Sequence, residues 1–327
     1  MKVLVCGGAG YIGSHVVKAL LREGFEVVIF DNFSSGKEEL VAGGEVVRGD
    51  LDDKGEVGRV FRAHRFDVVL HFASLIQVGE SFLNPQRYYT HNLSTSLNLF
   101  EAMLEAGVKR IIFSSSAAVY GIPQETPITE SHPLSPINPY GHTKLFVERI
   151  LEDYDKAYGL KHISLRYFNA AGADPDARMG EMHDPETHLI PNLLLYLLGK
   201  KAGFDLYGTK FPTPDGTAIR DYIHVTDLAE AHVLALRRLL ASGESDAVNL
   251  GASRGFSVLE VVRKVEEVTG RKIAYRVRPE RLGDVPVLLA SKEKAEKTLG
   301  WKLRYSDLEK IIDTAWQWHR KIVQKTG

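Results

Sequence analysis

Tyr140 and Lys144 stand at positions i and i+4 of Tyr140-Gly141-His142-Thr143-Lys144, a spacing that sets a phenol and an ammonium on one face of a helix. A free phenol gives up its proton near about 10, too high for a base working at neutral pH. A neighbouring cation favours the phenolate and brings that value down. Upstream, Ile112-Phe113-Ser114-Ser115-Ser116-Ala117 carries small hydroxyl residues off the end of an apolar strand. The carboxyl ends of parallel strands are where such sheets bind ligands. A serine there can bond a reacting oxygen and relay its proton. Alone, the Tyr–Lys pair is a solvated helix face and the serines are a turn; each gives the other meaning.

A second constellation opens the chain. The apolar run Val3-Leu4-Val5-Cys6 leads into Gly7-Gly8-Ala9-Gly10-Tyr11-Ile12-Gly13, and a helical pattern follows to Glu23. Glycines at 7, 10 and 13 let the backbone approach a pyrophosphate, whose charge then faces the positive end of a helix. Asp31 closes the second strand, Val27-Val28-Ile29-Phe30. A carboxylate there accepts both adenosine ribose hydroxyls and repels a 2′-phosphate, which favours NAD over NADP. Asp50-Leu51, after Val46-Val47, falls where an adenine contact fits, although an Asp after a strand is also a common helix cap.

The elements that must position these groups alternate. Strands are expected at Val3–Cys6, Val27–Phe30, Val68–Leu70, Arg110–Phe113 and His162–Arg166, with helices near 11–23, 94–106 and 140–158 between them. Strands this apolar imply a parallel sheet covered on both faces, an α/β Rossmann-type doubly wound fold. Beyond Asn169 come polar, Pro- and Gly-rich stretches at 172–186 and 209–216, then helices near 225–240, 258–269 and 308–323. The expected division is an NAD-binding unit over 1–168, with 217–250 returning to it, and a smaller α/β substrate unit over 169–216 and 251–327. A net charge of −1 over 327 residues offers no basic field for nucleic acid or an acidic membrane surface. Apolar runs fall well short of the roughly 20 residues that cross a bilayer. A single cysteine and no secretory signal ahead of the glycine turn point to a reducing, cytoplasmic setting.

Taken in order, these motifs resemble the sugar-nucleotide 4-epimerases among the extended short-chain dehydrogenases/reductases. The likeness also rests on Gly10-Tyr11-Ile12-Gly13-Ser14-His15, Val78-Gly79-Glu80-Ser81, Val119-Tyr120-Gly121, Arg166-Tyr167-Phe168-Asn169 and Arg220-Asp221-Tyr222-Ile223-His224-Val225, and it reaches Leu299-Gly300-Trp301. It implies interconversion of UDP-galactose and UDP-glucose on tightly held NAD. Tyr140 would take the C4-hydroxyl proton, directly or through Ser116, while Lys144 tunes it. The resemblance carries cofactor contacts onto Gly7, Gly10, Tyr11, Ile12, Gly13, Asp31, Asn32, Asp50, Leu51, Phe72, Ala73, Asn92, Ser114, Tyr140, Lys144 and Tyr167. It carries UDP-sugar contacts onto Ser116, Tyr140, Asn169, His188, Leu189, Tyr207, Arg220, Arg281 and Asp284. A homodimer joined by the helices near 92–106 and 140–158 is implied as well.

Some positions depart from the family's best-known bacterial pattern. Ile76 stands where a Lys often reaches the sugar or phosphate region, and His188 where an Asn commonly lies near the pyrophosphate. Leu288 occupies the gate beside the hexose 2-substituent and decides nothing about N-acetyl sugars. Other UDP-sugars (an N-acetylhexosamine, a glucuronate or a pentose) therefore stay open as substrates, and a non-catalytic NAD sensor is the reading from another class. Ala117-Ala118 replaces the Asp-Glu pair that a 4,6-dehydratase on this fold would carry. His183-Asp184-Pro185-Glu186-Thr187-His188 has the look of a metal cluster, but two His five apart lack the same-face spacing of a helical zinc pair, and no metal is expected.

Overall fold

In the computed structural model, which describes residues 1–326, the short Val-, Ile- and Phe-rich runs build one parallel sheet. In chain order the strands are β1 (Lys2–Cys6), β2 (Glu26–Asp31), β3 (Glu45–Arg48), β4 (Val68–His71), β5 (Arg110–Ser116), β6 (Lys161–Tyr167), β7 (Asn169–Ala171), β8 (Phe204–Tyr207), β9 (Ile219–His224), β10 (Asp246–Leu250), β11 (Gly255–Ser257), β12 (Tyr275–Arg278) and β13 (Val287–Leu288). The helices are α1 (Tyr11–Arg22), α2 (Lys54–Ala63), α3 (Val78–Leu83), α4 (Pro85–Glu105), α5 (Pro139–Tyr158), α6 (Leu189–Leu197), α7 (Val225–Ser242), α8 (Val258–Thr269), α9 (Glu293–Leu299) and α10 (Leu308–Thr326). The large sheet runs β10-β6-β5-β4-β1-β2-β3. Its order reverses between β1 and β4, which opens a crevice at their carboxyl ends.

Alternate residues of each strand serve opposite faces. Val3 and Val5 of β1 pack with Val16, Val17 and Leu20 of α1 and with Leu228 and Leu236 of α7. Leu4 and Cys6 face the other way, against Val57 of α2, Leu99 and Met103 of α4, and Val147 and Leu151 of α5. Two buried faces explain why these strands read as unbroken apolar runs. The smaller part holds a sheet ordered β11-β9-β13, with β7 also on β9, and a β12–β8 pair. Its core joins α6, α8 and α10 through Leu193, Val261, Ile311 and Trp316.

Three details differ from the sequence reading. Helix α4 begins at Pro85 rather than near Ser94, because proline suits the first helical position and the polar run 86–91 hides the period. Ser114, Ser115 and Ser116 stay in β5, paired with Leu165, Arg166 and Tyr167, so the serine run is not a turn. The return to the large sheet starts at α7, since β9 lies in the smaller sheet. Among the described residues, no helix is long and apolar enough to cross a membrane.

Candidate active site

The crevice is floored by the β1–α1 turn. Gly7 adopts φ +80°, and a Cβ there would lie 2.7 Å from the Ala73 nitrogen. A Cβ on Gly13 would lie 2.2 Å from the Gly7 carbonyl oxygen. Only glycine allows this close packing, and Gly10, Tyr11 and Ile12 lie within it. No side chain caps α1 at Gly10, which leaves its first N–H groups for an anion. Asp31 accepts hydrogen bonds from the Ala9 and Phe33 N–H groups at 2.9 and 2.8 Å. Burial raises its carboxyl pKa, opposed by those two N–H groups and by Arg48. Beyond it lies a cleft of about 660 Å³ lined by Phe33, Gly36, Lys37, Glu38, Glu39 and Arg48. Arg48 is already paired with Glu38 at 2.8 Å, and the Asp31 carboxylate stands at the ribose end, where it would repel a 2′-phosphate. Asn32 donates to Asp50 at 2.9 Å, and the Leu51 carbonyl accepts from Asn98. Glycine cradle, uncapped helix and the Asp31 carboxylate fit an NAD dinucleotide.

At the carboxyl ends of β4 to β6 the reactive groups meet. Asn138 caps α5 by accepting from the Gly141 N–H at 2.7 Å, and Pro139 opens the helix, so Tyr140 sits in its first turn. Gly141 matters sterically: a Cβ there would stand 2.6 Å from the Ala118 carbonyl oxygen. That closeness brings Tyr140 toward Ser116, whose hydroxyl favours the ionised phenol. Lys144 is buried; its ammonium donates to Ser74 Oγ at 2.9 Å and to the Ser114 carbonyl at 2.7 Å, and lies 5.8 Å from the Tyr140 ring centre.

Their electrostatics correct one expectation. Burial raises the Tyr140 phenol, and the Ser116 hydroxyl only partly opposes it. Lys144 does not bring it down, because its ammonium is held by Ser74 and Ser114 rather than by the phenol oxygen. Burial also lowers Lys144 to about 7, against the pull of Glu148. Without a further positive charge, this dry site disfavours both charged forms.

Around the centre, Tyr167 donates to His232 Nε2, whose ring packs 5.1 Å from Phe72. Asn92 does not present a free amide: it donates to the Leu75 carbonyl and Thr143, accepts from the Leu75 N–H, and so props up the loop after β4. The residues assigned to the nucleotide gather in the smaller part. Arg220 lies 3.6 Å and Arg281 3.2 Å from the Asp284 carboxylate, and the Arg281 guanidinium covers the Tyr207 ring at 5.4 Å. Leu288 pairs with Arg220 in register and packs in a cluster with Ala117 and Phe168, linking this group to Ser116 and Asn169. His188 and Leu189 open α6, where no side chain caps the helix. Ile76 is 40% exposed.

The His183–His188 expectation also needs correction. Their segment is not helical, so helical spacing does not apply, and the rings stand 5.2 Å apart. Glu181 Oε1 lies 2.8 Å from His183 Nδ1 and 2.6 Å from His188 Nδ1, and Glu186 Oε1 lies 3.0 Å from His188 Nδ1. Burial disfavours charge on His188, but Glu181 and Glu186 outweigh it and raise its pKa.

Other supporting residues were not singled out from sequence. Glu148 accepts from Arg166 Nε and Nη2 at 3.0 and 2.6 Å and from the Ser115 hydroxyl, and Arg166 donates to the Tyr120 hydroxyl at 2.9 Å. The available signal was a Glu one turn after Lys144 and an Arg inside an apolar strand, both needing a partner. Ser74 and His232 left no local signal.

Residues 3–251 match the pattern of the NAD dependent epimerase/dehydratase family. The chain is 47% identical over 320 residues to the UDP-glucose 4-epimerase of Lacticaseibacillus casei, covering 98% of this chain and 97% of that one. It superposes with a TM-score of 0.93 and 46% identity on the Brucella ovis UDP-glucose 4-epimerase in complex with NAD, covering 96% and 97% of the two chains. The Bifidobacterium longum UDP-glucose 4-epimerase in complex with NAD+ and UDP gives 0.94 at 39% identity, with 98% of each chain covered.

Two outcomes follow from this geometry. Gly141→Ala must push α5 away from Ala118, and a displacement near 1 Å lowers kcat on the order of 100-fold; steady-state rates with cofactor content in parallel will show the loss, and an unchanged kcat refutes the packing argument. Lys144 binds its proton less tightly folded, at about 7, than unfolded, at about 10.4. Between those values the unfolded chain holds more protons, so stability rises with pH across that window. Lys144→Met therefore raises the urea midpoint of the cofactor-free protein most below pH 7, and the gain shrinks toward pH 10.

Proposed function

This chain belongs to the NAD dependent epimerase/dehydratase family, and from that membership and the grouping of Tyr140, Ser116 and Lys144 we infer that it interconverts UDP-galactose and UDP-glucose by inverting C4 of the hexose. NAD is the cofactor, and when bound it supplies the place where the C4 hydride is held between removal and return, so no net oxidation results. The observation that carries the reading is a buried phenol, influenced by the Ser116 hydroxyl, whose ring centre lies 5.8 Å from a buried ammonium.

The protein's own work is proton transfer and grip. Ser116 Oγ bonds the C4 hydroxyl and passes its proton to the Tyr140 oxygen. Tyr140 keeps that proton while the 4-keto sugar turns in the pocket, then returns it to the C4 oxygen as hydride would reach the opposite face of C4. The positive charge of bound nicotinamide would counter the burial that holds the phenol protonated. Gly7, Gly10, Tyr11, Ile12 and Gly13 seat the pyrophosphate, and Asp31 the adenosine ribose. Asn32, Asp50 and Leu51 lie toward adenine, while Phe72, Ala73, Ser114 and Tyr167 line the nicotinamide end. Arg220 and Arg281 clamp the substrate diphosphate, because a guanidinium matches its paired oxygens. His188, Leu189 and Asn169 hold the same substrate, Asp284 its ribose and Tyr207 its uracil.

We also propose a homodimer through α4 and α5. The outer faces of these helices carry Leu97 and Phe146, 39% and 45% exposed, and Tyr89, His142 and Phe146 form a cluster of three rings with centres 6.2 to 6.4 Å apart. An exposed apolar strip of this kind marks an interface. A single unpaired cysteine buried in β1 suits a reducing, cytoplasmic setting.

Purified protein given UDP-galactose without reductant is expected to form UDP-glucose, and Tyr140→Phe to lose about 10²–10⁴-fold in kcat while retaining NAD. Chromatography of the sugar nucleotides, with the N-acetyl pair alongside, checks this; full activity in Tyr140→Phe removes the assigned base. For the dimer, Phe146→Glu is expected to halve the mass seen by light scattering, and an unaltered dimer excludes this face.

A further inference from the structure

Four potential ligands converge where the main reaction uses none as a set. Glu181, His183, Glu186 and His188 come from the loop between β7 and α6, and their nearest donor atoms all lie within 4.8 Å of one another. Each carboxylate is buried, with side chains 4% and 3% exposed, while the imidazoles are 21% and 40% exposed. We propose that this cluster is a structural site for one divalent transition ion, best matched by Zn²⁺.

The chemistry of the donors selects the ion. Two imidazole nitrogens exclude Mg²⁺ and Ca²⁺, which take oxygen shells, and the absence of thiolate argues against the softest ions. A tetrahedral N₂O₂ set with bonds of about 2.0–2.1 Å places its donors about 3.3 Å apart. The pairs here stand at 2.6, 2.8 and 3.0 Å, and the widest at 4.8 Å. Shifts of about an ångström or less in side chains that already face one point complete that shell. Both Nδ1 atoms, which make the present contacts, become ligands when their protons leave. Two carboxylates then neutralise the dication in a place where an unbalanced charge would be costly.

Outer contacts already fix the donors. Glu186 Oε1 accepts from the Thr187 and His188 N–H groups at 2.7 and 2.8 Å. The Glu181 carbonyl accepts from Trp318 Nε1 at 3.1 Å, anchoring the loop to α10. His183 packs edge-on against Tyr11, whose hydroxyl donates to the Gly172 carbonyl at 2.6 Å. An ion here staples the 172–188 loop between the start of α1 and α10, beside the opening turn of α6. Outer partners of this kind hold a ligand set in place. The role is independent of the epimerase reading, since the ion takes no part in proton or hydride transfer.

The test uses the NAD-loaded full chain after dialysis against a chelator. Titration calorimetry with ZnCl₂ is expected to give one ion per chain, and Co²⁺ the intense visible bands of a four-coordinate N/O site. Added Zn²⁺ raises the Tm, and chelator reverses the rise. His183→Ala, which lies outside the assigned substrate contacts, is expected to weaken Zn²⁺ at least 100-fold and abolish the Co²⁺ bands while still folding with NAD. Glu181→Gln serves as the second variant and is expected to do the same. No stoichiometric Zn²⁺ uptake by the wild-type chain, or equal affinity in both variants, overturns the proposal and leaves the cluster as ion pairs alone. Because metal content is read directly, an inactive enzyme that binds one Zn²⁺ sinks the epimerase reading and spares this one.

Discussion

Glu148 reaches down from α5 into the sheet and meets Arg166 of β6 where almost no water remains: the two side chains are 3% and 5% exposed. The pair is costly to bury, and leaving either partner alone costs about 3–5 kcal/mol more. It is held because each nitrogen of the guanidinium and each oxygen of the carboxylate has a partner. Ser115 of β5 adds a donor to Glu148, and the Tyr120 hydroxyl accepts from Arg166 Nη1 and donates to Asn249 Oδ1 of β10 at 2.6 Å. One helix and three strands thereby meet at one fixed point. Tyr140 and Lys144 ride on that helix, Ser116 follows Ser115, and Tyr167 follows Arg166. The relative placement of all four reactive or cofactor-facing groups derives from this neutralised pair.

The centre it organises is built dry and short of charge. Phenol and ammonium are both pushed toward their neutral forms. If Tyr140 is the base proposed above, that arrangement reserves its phenolate for the state in which a cationic ring occupies the crevice, with the hydride acceptor in its oxidised form. Placing the tuning charge on the cofactor instead of the protein couples two events that must occur together.

How much of this was legible depended on whether the parts were neighbours in the chain. Gly7, Gly10 and Gly13 with Asp31 occupy one strand–turn–helix–strand unit, so their placement together could be read directly. Tyr140 and Lys144 share one helix, and the spacing alone put them on one face. The direction of the phenol's shift was not legible, because it depends on burial and on Ser74 capturing the ammonium from another loop. Likewise, the convergence of Glu181 and Glu186 on two imidazoles depends on a loop without periodicity. Helical spacing rules had nothing to say about it. Asn92 was expected beside the nicotinamide, yet its amide is spent on the Leu75 backbone and Thr143, which its own sequence position does not reveal.

The last strand of the large sheet comes from far along the chain. β10 pairs with β6 from Asp246↔Ile163 to Leu250↔Tyr167, after the chain has passed through β9 of the smaller sheet. During synthesis the sheet edge at β6 therefore stays open until about residue 250 has left the ribosome, and Asn249 reaches Tyr120 only then. A nascent chain carries its glycine turn, phenol and ammonium well before the strand that closes their support. Pairing at such sequence separation folds slowly and leaves an unpaired edge exposed to other strands meanwhile. The vulnerable interval in the life of this protein is thus its emergence, when a chaperone that shields the β6 edge has most to protect.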